Sequence, residues 1–112
     1  MQLESKKLLL DMQAAAHLIA GFLENKSEAD FMSDELLRSA VYHKFTIAGE
    51  ALAQLRVRDE ATAERISEAG RIIGFRNQVV HGYGKINDAI TWRIIQDKLP
   101  ILRRELATLL AE

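Results

Sequence analysis

The chain has 112 residues, of which 48% are hydrophobic and 28% charged, and it contains one proline and six glycines. This composition is that of an ordinary globular protein, and the length predicts a single domain spanning residues 1–112. The complete absence of cysteine excludes disulfides, thiolate metal ligands and cysteine nucleophiles.

Charge and hydropathy narrow the partners that the chain can have. Fifteen Lys and Arg against sixteen Asp and Glu leave a net charge of −1. This charge excludes a basic protein that binds nucleic acid non-specifically over its whole surface, so any contact with RNA must be local. No apolar run reaches the roughly 18 residues that a transmembrane helix needs, and the N terminus lacks the order of a secretory signal. The sequence therefore predicts a cytoplasmic protein with no membrane partner.

The first half of the chain predicts two long helices joined by a short one. Residues 3–24 carry apolar side chains at steps of four and three, which is the spacing of one helical stripe: Leu8, Met12, Ala15, Ile19 and Phe22. Residues 27–30 have the form of a capping box, so a short connecting helix is expected there. A second long helix is predicted over residues 34–55, with Gly49 as a notch for close packing of another helix.

The second half predicts two more helices. The charged, aperiodic residues 56–60 indicate a loop, and helix three follows over residues 61–81, ended by Gly82. Helix four is predicted from Asp88 to the C terminus, with a kink caused by Pro100. The fold class is therefore all-α, an up-and-down four-helix bundle, and its wide apolar stripes suggest a homodimer interface.

A polar segment interrupts the apolar third helix. Arg76, Asn77 and Gln78 stand within it, and His81 and Tyr83 follow at its end. On a straight helix Arg76 and His81 lie about 140° apart, whereas Asn77 and His81 are one turn apart. Either the helix unwinds near its end or a symmetric dimer apposes the arginine of one copy with the histidine of the other. The second arrangement is the favoured one.

The side chains of this segment have the chemical types of a metal-free ribonuclease. Histidine moves protons near neutral pH, arginine stabilises charge on a phosphate, and Asn77 could orient either group. The alternative is structural, with Arg76 paired to an acid and His81 at a helix C terminus, where positive charge is favourable. Glu50 is a supporting candidate that could pair with an arginine near the cleft.

Three further cations near the segment are weaker candidates. Arg71, Lys85 and Arg93 could contact phosphates, although solvated surface charge is the commoner role of such residues. The histidines elsewhere in the chain lack a second ligand at helical spacing, so the sequence predicts no metal site and no cofactor.

The segment from Arg76 to Tyr83 resembles the signature of the HepT-like family of the HEPN superfamily, which is arginine, four residues, histidine, one residue and tyrosine. Residues 47–51 look like the family's helix-two element, residues 72–75 precede the arginine as in the family, and residues 92–100 are similar to its last helix. Residues 56–63 depart from it, because relatives often have a proline-containing turn there, which leaves the start of helix three uncertain.

The resemblance covers essentially the whole chain and implies a HEPN-like helical homodimer that is the toxin of a toxin–antitoxin pair. It implies Arg76 and His81 as endoribonuclease residues at the dimer cleft. It also implies an MntA-type nucleotidyltransferase antitoxin as partner, which neutralises the toxin by transferring AMP to Tyr83. The alternative is a non-catalytic helical dimer that binds nucleotide or the nucleotidyltransferase and regulates it.

Overall fold

A computed structural model describes residues 1–82 and 85–112, and these residues form helices connected by turns. Within them the helices are α1 (Leu3–Leu23), α2 (Glu28–Ser33), α3 (Glu35–Arg58), α4 (Glu60–Ala63), α5 (Ala69–His81) and α6 (Asp88–Ala111). The four long helices are α1, α3, α5 and α6, and the short α2 and α4 connect them. The predicted all-α helical bundle is confirmed.

The core lies mainly between α1, α3 and α6. Side chains from these three helices are fully buried in it, among them Leu9, Ile19, Leu52, Leu55 and Leu106. Helix α5 packs on α3 and contributes only Ile72 to the buried residues. Because α5 lies at the edge of the bundle, most of its polar side chains are at the surface. None of the helices in the described part combines the length and apolar character that spanning a bilayer requires.

Three helix starts are capped by side chains, and the capping box over residues 27–30 is the one that the sequence predicts. Ser27 and Asp30 form a reciprocal capping box at α2, in which each side chain accepts a hydrogen bond from the backbone N–H of the other residue. Asp34 caps α3 by accepting from the backbone N–H of Leu37. Asn87 caps α6 by accepting from the N–H of Ile90. These caps fix where the helices begin.

The predicted loop over residues 56–60, and with it the start of helix three, is wrong. Helix α3 continues to Arg58, and Asp59 then caps the short α4 by accepting hydrogen bonds from the backbone N–H and the hydroxyl of Thr62. Residues 64–68 form turns in which the side chain of Ile66 is buried, and α5 then begins at Ala69. The charged residues at the end of α3 occupy its exposed face, so its apolar period fades before the helix ends.

Gly49 and Pro100 both lie inside long helices, as the sequence predicts. Gly49 is buried in α3 at the crossing with α5, which confirms the packing notch. Pro100 lies inside α6, which is one continuous helix from Asp88 to Ala111. The kink at Pro100 stays a prediction.

Candidate active site

Helix α5 carries Arg76, Asn77 and His81 in one uninterrupted α-helix. It ends at Gly82, whose backbone has a φ of +67°, the left-handed conformation that glycine adopts readily. The helix is therefore not unwound between Arg76 and His81, so the first of the two arrangements considered for this segment does not occur. Tyr83 lies outside the described residues.

The stem of Arg76 is fixed by its packing on α3. A Cβ atom added at Gly49 would lie 2.5 Å from the Cβ of Arg76 and 3.1 Å from the carbonyl oxygen of Ile72. Only a residue without a side chain allows the two helices to approach this closely. The arginine therefore leaves α5 toward α3, and its guanidinium has to turn back to the surface.

Two polar groups orient the guanidinium of Arg76. Its Nη2 lies 2.5 Å from Oε2 of Glu50, and its Nη1 donates to Oδ1 of Asn77 at 3.0 Å. The side chain of Arg76 is 23% exposed and that of Glu50 is 50% exposed, so one side of the pair is open to solvent. The Nε atom of Arg76 is buried and makes no hydrogen bond with any described residue.

The hydrogen bond to Asn77 links Arg76 to the residue that lies one turn before His81. Asn77 and His81 are four residues apart, so they lie above one another on the same face of α5. The long side chain of Arg76 curls toward that face when it binds Asn77. His81 is exposed in the last turn of the helix. The last two turns of α5 thus carry a cation bonded to an amide, and an exposed imidazole one turn beyond that amide.

The fold places two of the three weaker phosphate candidates in one groove and the third elsewhere. Arg71 pairs with Glu68, their Nε and Oε2 atoms lying 3.1 Å apart, and it lines a groove between α5 and α6 together with Lys85. Arg93 instead faces α2, where its Nε lies 3.5 Å from Oε1 of Glu28. No three His, Cys, Asp or Glu side chains in residues 1–82 and 85–112 are grouped so that they could hold a metal ion.

Sequence reasoning missed a polar network that fixes the chain just beyond the motif. The hydroxyl of Tyr42 donates to Asp88, and Nε of Arg38 lies 3.5 Å from the same carboxylate. Arg38 also donates to the carbonyl oxygens of Phe31 and Met32 at 2.8 and 2.6 Å. Burial, together with the hydrogen bond to Asp88, raises the pKa of Tyr42 above its usual range. Asp88 looks like a helix-start acid in the sequence, and only the fold reveals its partners.

The fold and the polar stretch on α5 define an all-α protein with an arginine-and-histidine motif at the end of an edge helix. Residues 12–109 match the family described as "Ribonuclease HepT-like", so the chain belongs to this family. The predicted membership of the HepT-like family is thereby confirmed.

Two relatives from Methanocaldococcus jannaschii are similar to this chain. The first, named "Putative RNase MJ1380", is 24% identical over 102 residues, which cover 89% of this chain and 91% of the relative. The second, named "Gamma-glutamylcyclotransferase and putative RNase MJ0434", is 23% identical over 112 residues, which cover all of this chain and half of the relative. No solved structure matches the chain.

Proposed function

We propose that this protein is an endoribonuclease that cleaves RNA without a metal ion, through Arg76 and His81 at the cleft of a homodimer, and that it is the toxin of a toxin–antitoxin pair. The observation that carries the proposal is the guanidinium of Arg76, held between Glu50 and Asn77, with His81 exposed one turn beyond Asn77 on the same helix. The ribonuclease family to which the chain belongs supports the same reaction.

The reaction needs proton transfer and charge stabilisation. The 2′-hydroxyl oxygen of a ribose attacks the adjacent phosphorus, the bond to the 5′-oxygen breaks, and a 2′,3′-cyclic phosphate and a 5′-hydroxyl result. His81 accepts the proton of the 2′-hydroxyl or donates a proton to the departing oxygen. Arg76 stabilises the negative charge that grows on the phosphate oxygens.

A second copy of the chain would complete the cleft. Arg76 leaves α5 on the side of α3, and the backbone positions of Arg76 and His81 are about 140° apart. Two exposed apolar side chains, Ile47 on α3 and Val80 on α5, are 37% and 50% exposed. Their burial in a symmetric interface would cover apolar surface and let the two α5 helices share their polar groups.

Control of the toxin is proposed to act through Tyr83, two residues beyond His81. An MntA-type nucleotidyltransferase antitoxin would transfer AMP to the phenol oxygen, releasing pyrophosphate from ATP. The added phosphate carries negative charge, which Arg76 would bind in place of the RNA phosphate. This part rests on the resemblance of the motif to its family.

Cleavage of RNA by the purified protein tests the proposal. We expect the wild type to cleave single-stranded RNA in the presence of EDTA. His81→Ala and Arg76→Gln should each lower the rate by about 100-fold or more, since proton transfer and phosphate stabilisation each contribute on this scale. Glutamine keeps most of the arginine stem that packs on Gly49. Equal rates in the wild type and both variants would refute the assigned residues.

The alternative function, a non-catalytic dimer that binds nucleotide or the nucleotidyltransferase, has a different outcome in the same assays. It predicts no cleavage by the wild type, together with a complex with the nucleotidyltransferase. The modification is tested by intact mass after incubation with ATP and that enzyme. A mass increase in units of AMP should occur in the wild type and be absent in Tyr83→Phe, and its persistence in Tyr83→Phe would refute the site.

A further inference from the structure

A groove runs between α5 and α6 on the flank of α5 that faces away from Glu50. It exists because α5 packs on α3 and has few contacts with α6. Its apolar floor is formed by half-buried and exposed side chains: Phe75, Ile86, Ile90 and Ile94. Ile90 is 52% exposed, so the groove presents apolar surface to solvent.

Polar groups line both ends of this α5–α6 groove. Gln78 and Asn87 lie at the end of the groove nearest His81. The side-chain oxygen Oδ1 of Asn87 caps α6, so the NH₂ group of the same side chain keeps two donors. Lys85 lies at the same end, and Arg71 further along. Apolar surface between amides and cations matches the parts of a nucleotide, because a base stacks on apolar surface, amides bind base edges and cations bind phosphate.

The charge of the groove favours an anionic occupant. The described residues that line the groove include Arg71 and no carboxylate. Glu68, which pairs with Arg71 at 3.1 Å, is also paired with Lys98 at 3.3 Å. Lys85 adds a further positive charge. Asp88, which follows in the chain, is turned to Tyr42 and Arg38. The net charge of the lining is therefore positive although that of the chain is −1.

Gly74 leaves the middle of the groove free of a side chain. It lies in the middle of α5, where glycine lowers helix stability, and it lines the groove. Unlike Gly49, it has no neighbour within 4 Å of the position that a Cβ would occupy. A side chain at this position would therefore extend into the groove and not into the core.

We infer that the α5–α6 groove binds a nucleotide of single-stranded RNA that flanks the cleaved phosphate. The inference rests on the proposed ribonuclease function and assigns its substrate-binding surface. The groove and the proposed dimer face do not compete, because Phe75 and Val80 are five residues apart and so lie about 140° apart around α5. RNA that leaves the motif therefore reaches the groove by crossing the exposed face of the same helix.

A matched pair of glycine variants tests the inference. Gly74→Leu places a side chain in the groove, and Gly70→Leu places the same side chain one turn earlier on α5, where there is also no neighbour within 4 Å and no groove lining. Both favour the helix, since leucine is a good helix former. Binding is measured by fluorescence anisotropy of a short 2′-O-methyl RNA, which cannot be cleaved.

We expect Gly74→Leu to weaken binding about tenfold or more, the scale of losing one stacked base, and Gly70→Leu to bind like the wild type. A second variant tests the cationic end. Lys85→Gln should reduce the slope of log affinity against log salt concentration by about 0.7, the value for one phosphate contact to a single strand. Arg104→Gln, on α6 but outside this groove, should leave the slope unchanged.

Three results would overturn the inference. Wild-type binding by Gly74→Leu would show that the groove is not used by RNA. Dissociation of the dimer by Gly74→Leu would assign the groove to a second copy, and loss of only the nucleotidyltransferase complex would assign it to that partner. If Gly74→Leu binds normally while Arg76→Gln abolishes cleavage, this inference fails and the proposed function stands. If the wild type neither binds nor cleaves RNA, both fail.

Discussion

Gly49 and Arg76 are in direct contact across the crossing of α3 and α5, so the position of the candidate catalytic arginine depends on the absence of a side chain at residue 49. A Cβ at Gly49 would come within 2.5 Å of the Cβ of Arg76 and 3.1 Å of its Cγ. Both atoms belong to the part of the arginine nearest the backbone, which cannot swing away. Helix packing and site geometry are therefore coupled at this point.

Gly49→Ala should damage both stability and cleavage. The added methyl group forces α5 away from α3, and overpacking of this kind lowers the free energy of unfolding by about 1–3 kcal/mol. The same displacement moves the guanidinium of Arg76 away from Glu50. Urea denaturation and the rate of RNA cleavage measure the two effects.

Gly21→Ala is the matched control for that variant. Gly21 lies on the exposed face of α1 with nothing within 4 Å of its Cβ position. Alanine there should raise the free energy of unfolding by about 0.4–1 kcal/mol, because it restricts the unfolded chain, and leave cleavage unchanged. If Gly49→Ala behaved like Gly21→Ala, the close approach of α3 and α5 would be wrong.

Glu50→Gln should reduce cleavage with little effect on stability. The pair with Arg76 is half-exposed on the side of Glu50, and such pairs contribute at most about 1 kcal/mol to folding. Glutamine keeps an oxygen that can accept from the guanidinium but removes the negative charge, so Arg76 is held less firmly. We expect kcat to fall about tenfold with a smaller change in KM, the pattern of a group that acts in the transition state.

Glu28→Gln supplies the comparison for Glu50→Gln. It breaks another exposed pair, with Arg93, on the side of α6 that faces α2, and should leave kcat and KM at wild-type values. A rise in KM alone for Glu50→Gln would show that Glu50 assists binding of the RNA and does not position Arg76 for the reaction.

A structural feature of this protein can be predicted from the sequence when the residues that determine it are close together in the chain. Caps at Asp34 and Asn87 were predictable because a capping side chain binds a backbone N–H only three residues away. Gly49 was predictable as a notch because glycine inside a long apolar helix needs a packing reason. Each of these signals is contained within one or two helical turns.

Features that join distant residues were not predictable in the same way. The contact of Tyr42 with Asp88 spans 46 residues, and that of Ser5 with Asp59 spans 54. The end of α3 was misplaced for a local reason, because the charged residues of its last turn are exposed and the apolar period fades before the helix ends at Arg58. For the site, the sequence predicts the residue types, and the fold shows that Arg76 reaches Glu50 and Asn77.

Asp59 should make stability depend on pH in the acid range. Hydrogen bonds from Thr62 and then Ser5 lower the pKa of its carboxyl below the ordinary value. A lowered folded-state pKa means that the stabilisation is present above the unfolded pKa of about 3.9 and is lost as the pH falls through the folded value. Asp59→Asn should therefore lower Tm at pH 7, and its difference from the wild type should shrink below about pH 4.

Asp97→Asn controls for the loss of one negative charge. Asp97 is exposed on α6, so this variant should follow the wild-type Tm at both pH values. A Tm difference for Asp59→Asn that stays constant from pH 7 to pH 3 would show that the geometry of the cap matters and the charge of Asp59 does not.

Mixing two inactive variants should restore cleavage if each site uses two copies of the chain. In a dimer of one Arg76→Gln copy and one His81→Ala copy, one cleft receives both mutations. The other receives Arg76 and His81 intact, one from each copy. When chains are mixed at random, half of the dimers contain one copy of each variant and each of these has one working cleft. The mixture should therefore recover about a quarter of the wild-type rate.

If Arg76 and His81 act within one copy, every cleft in the mixed dimer lacks one of them and no activity returns. Arg76 donates to Asn77, which lies one turn before His81 on α5, so the one-copy arrangement is the alternative that this experiment has to separate from the dimer. Rates are measured after the chains are mixed, unfolded and refolded together, with each variant refolded alone as the baseline.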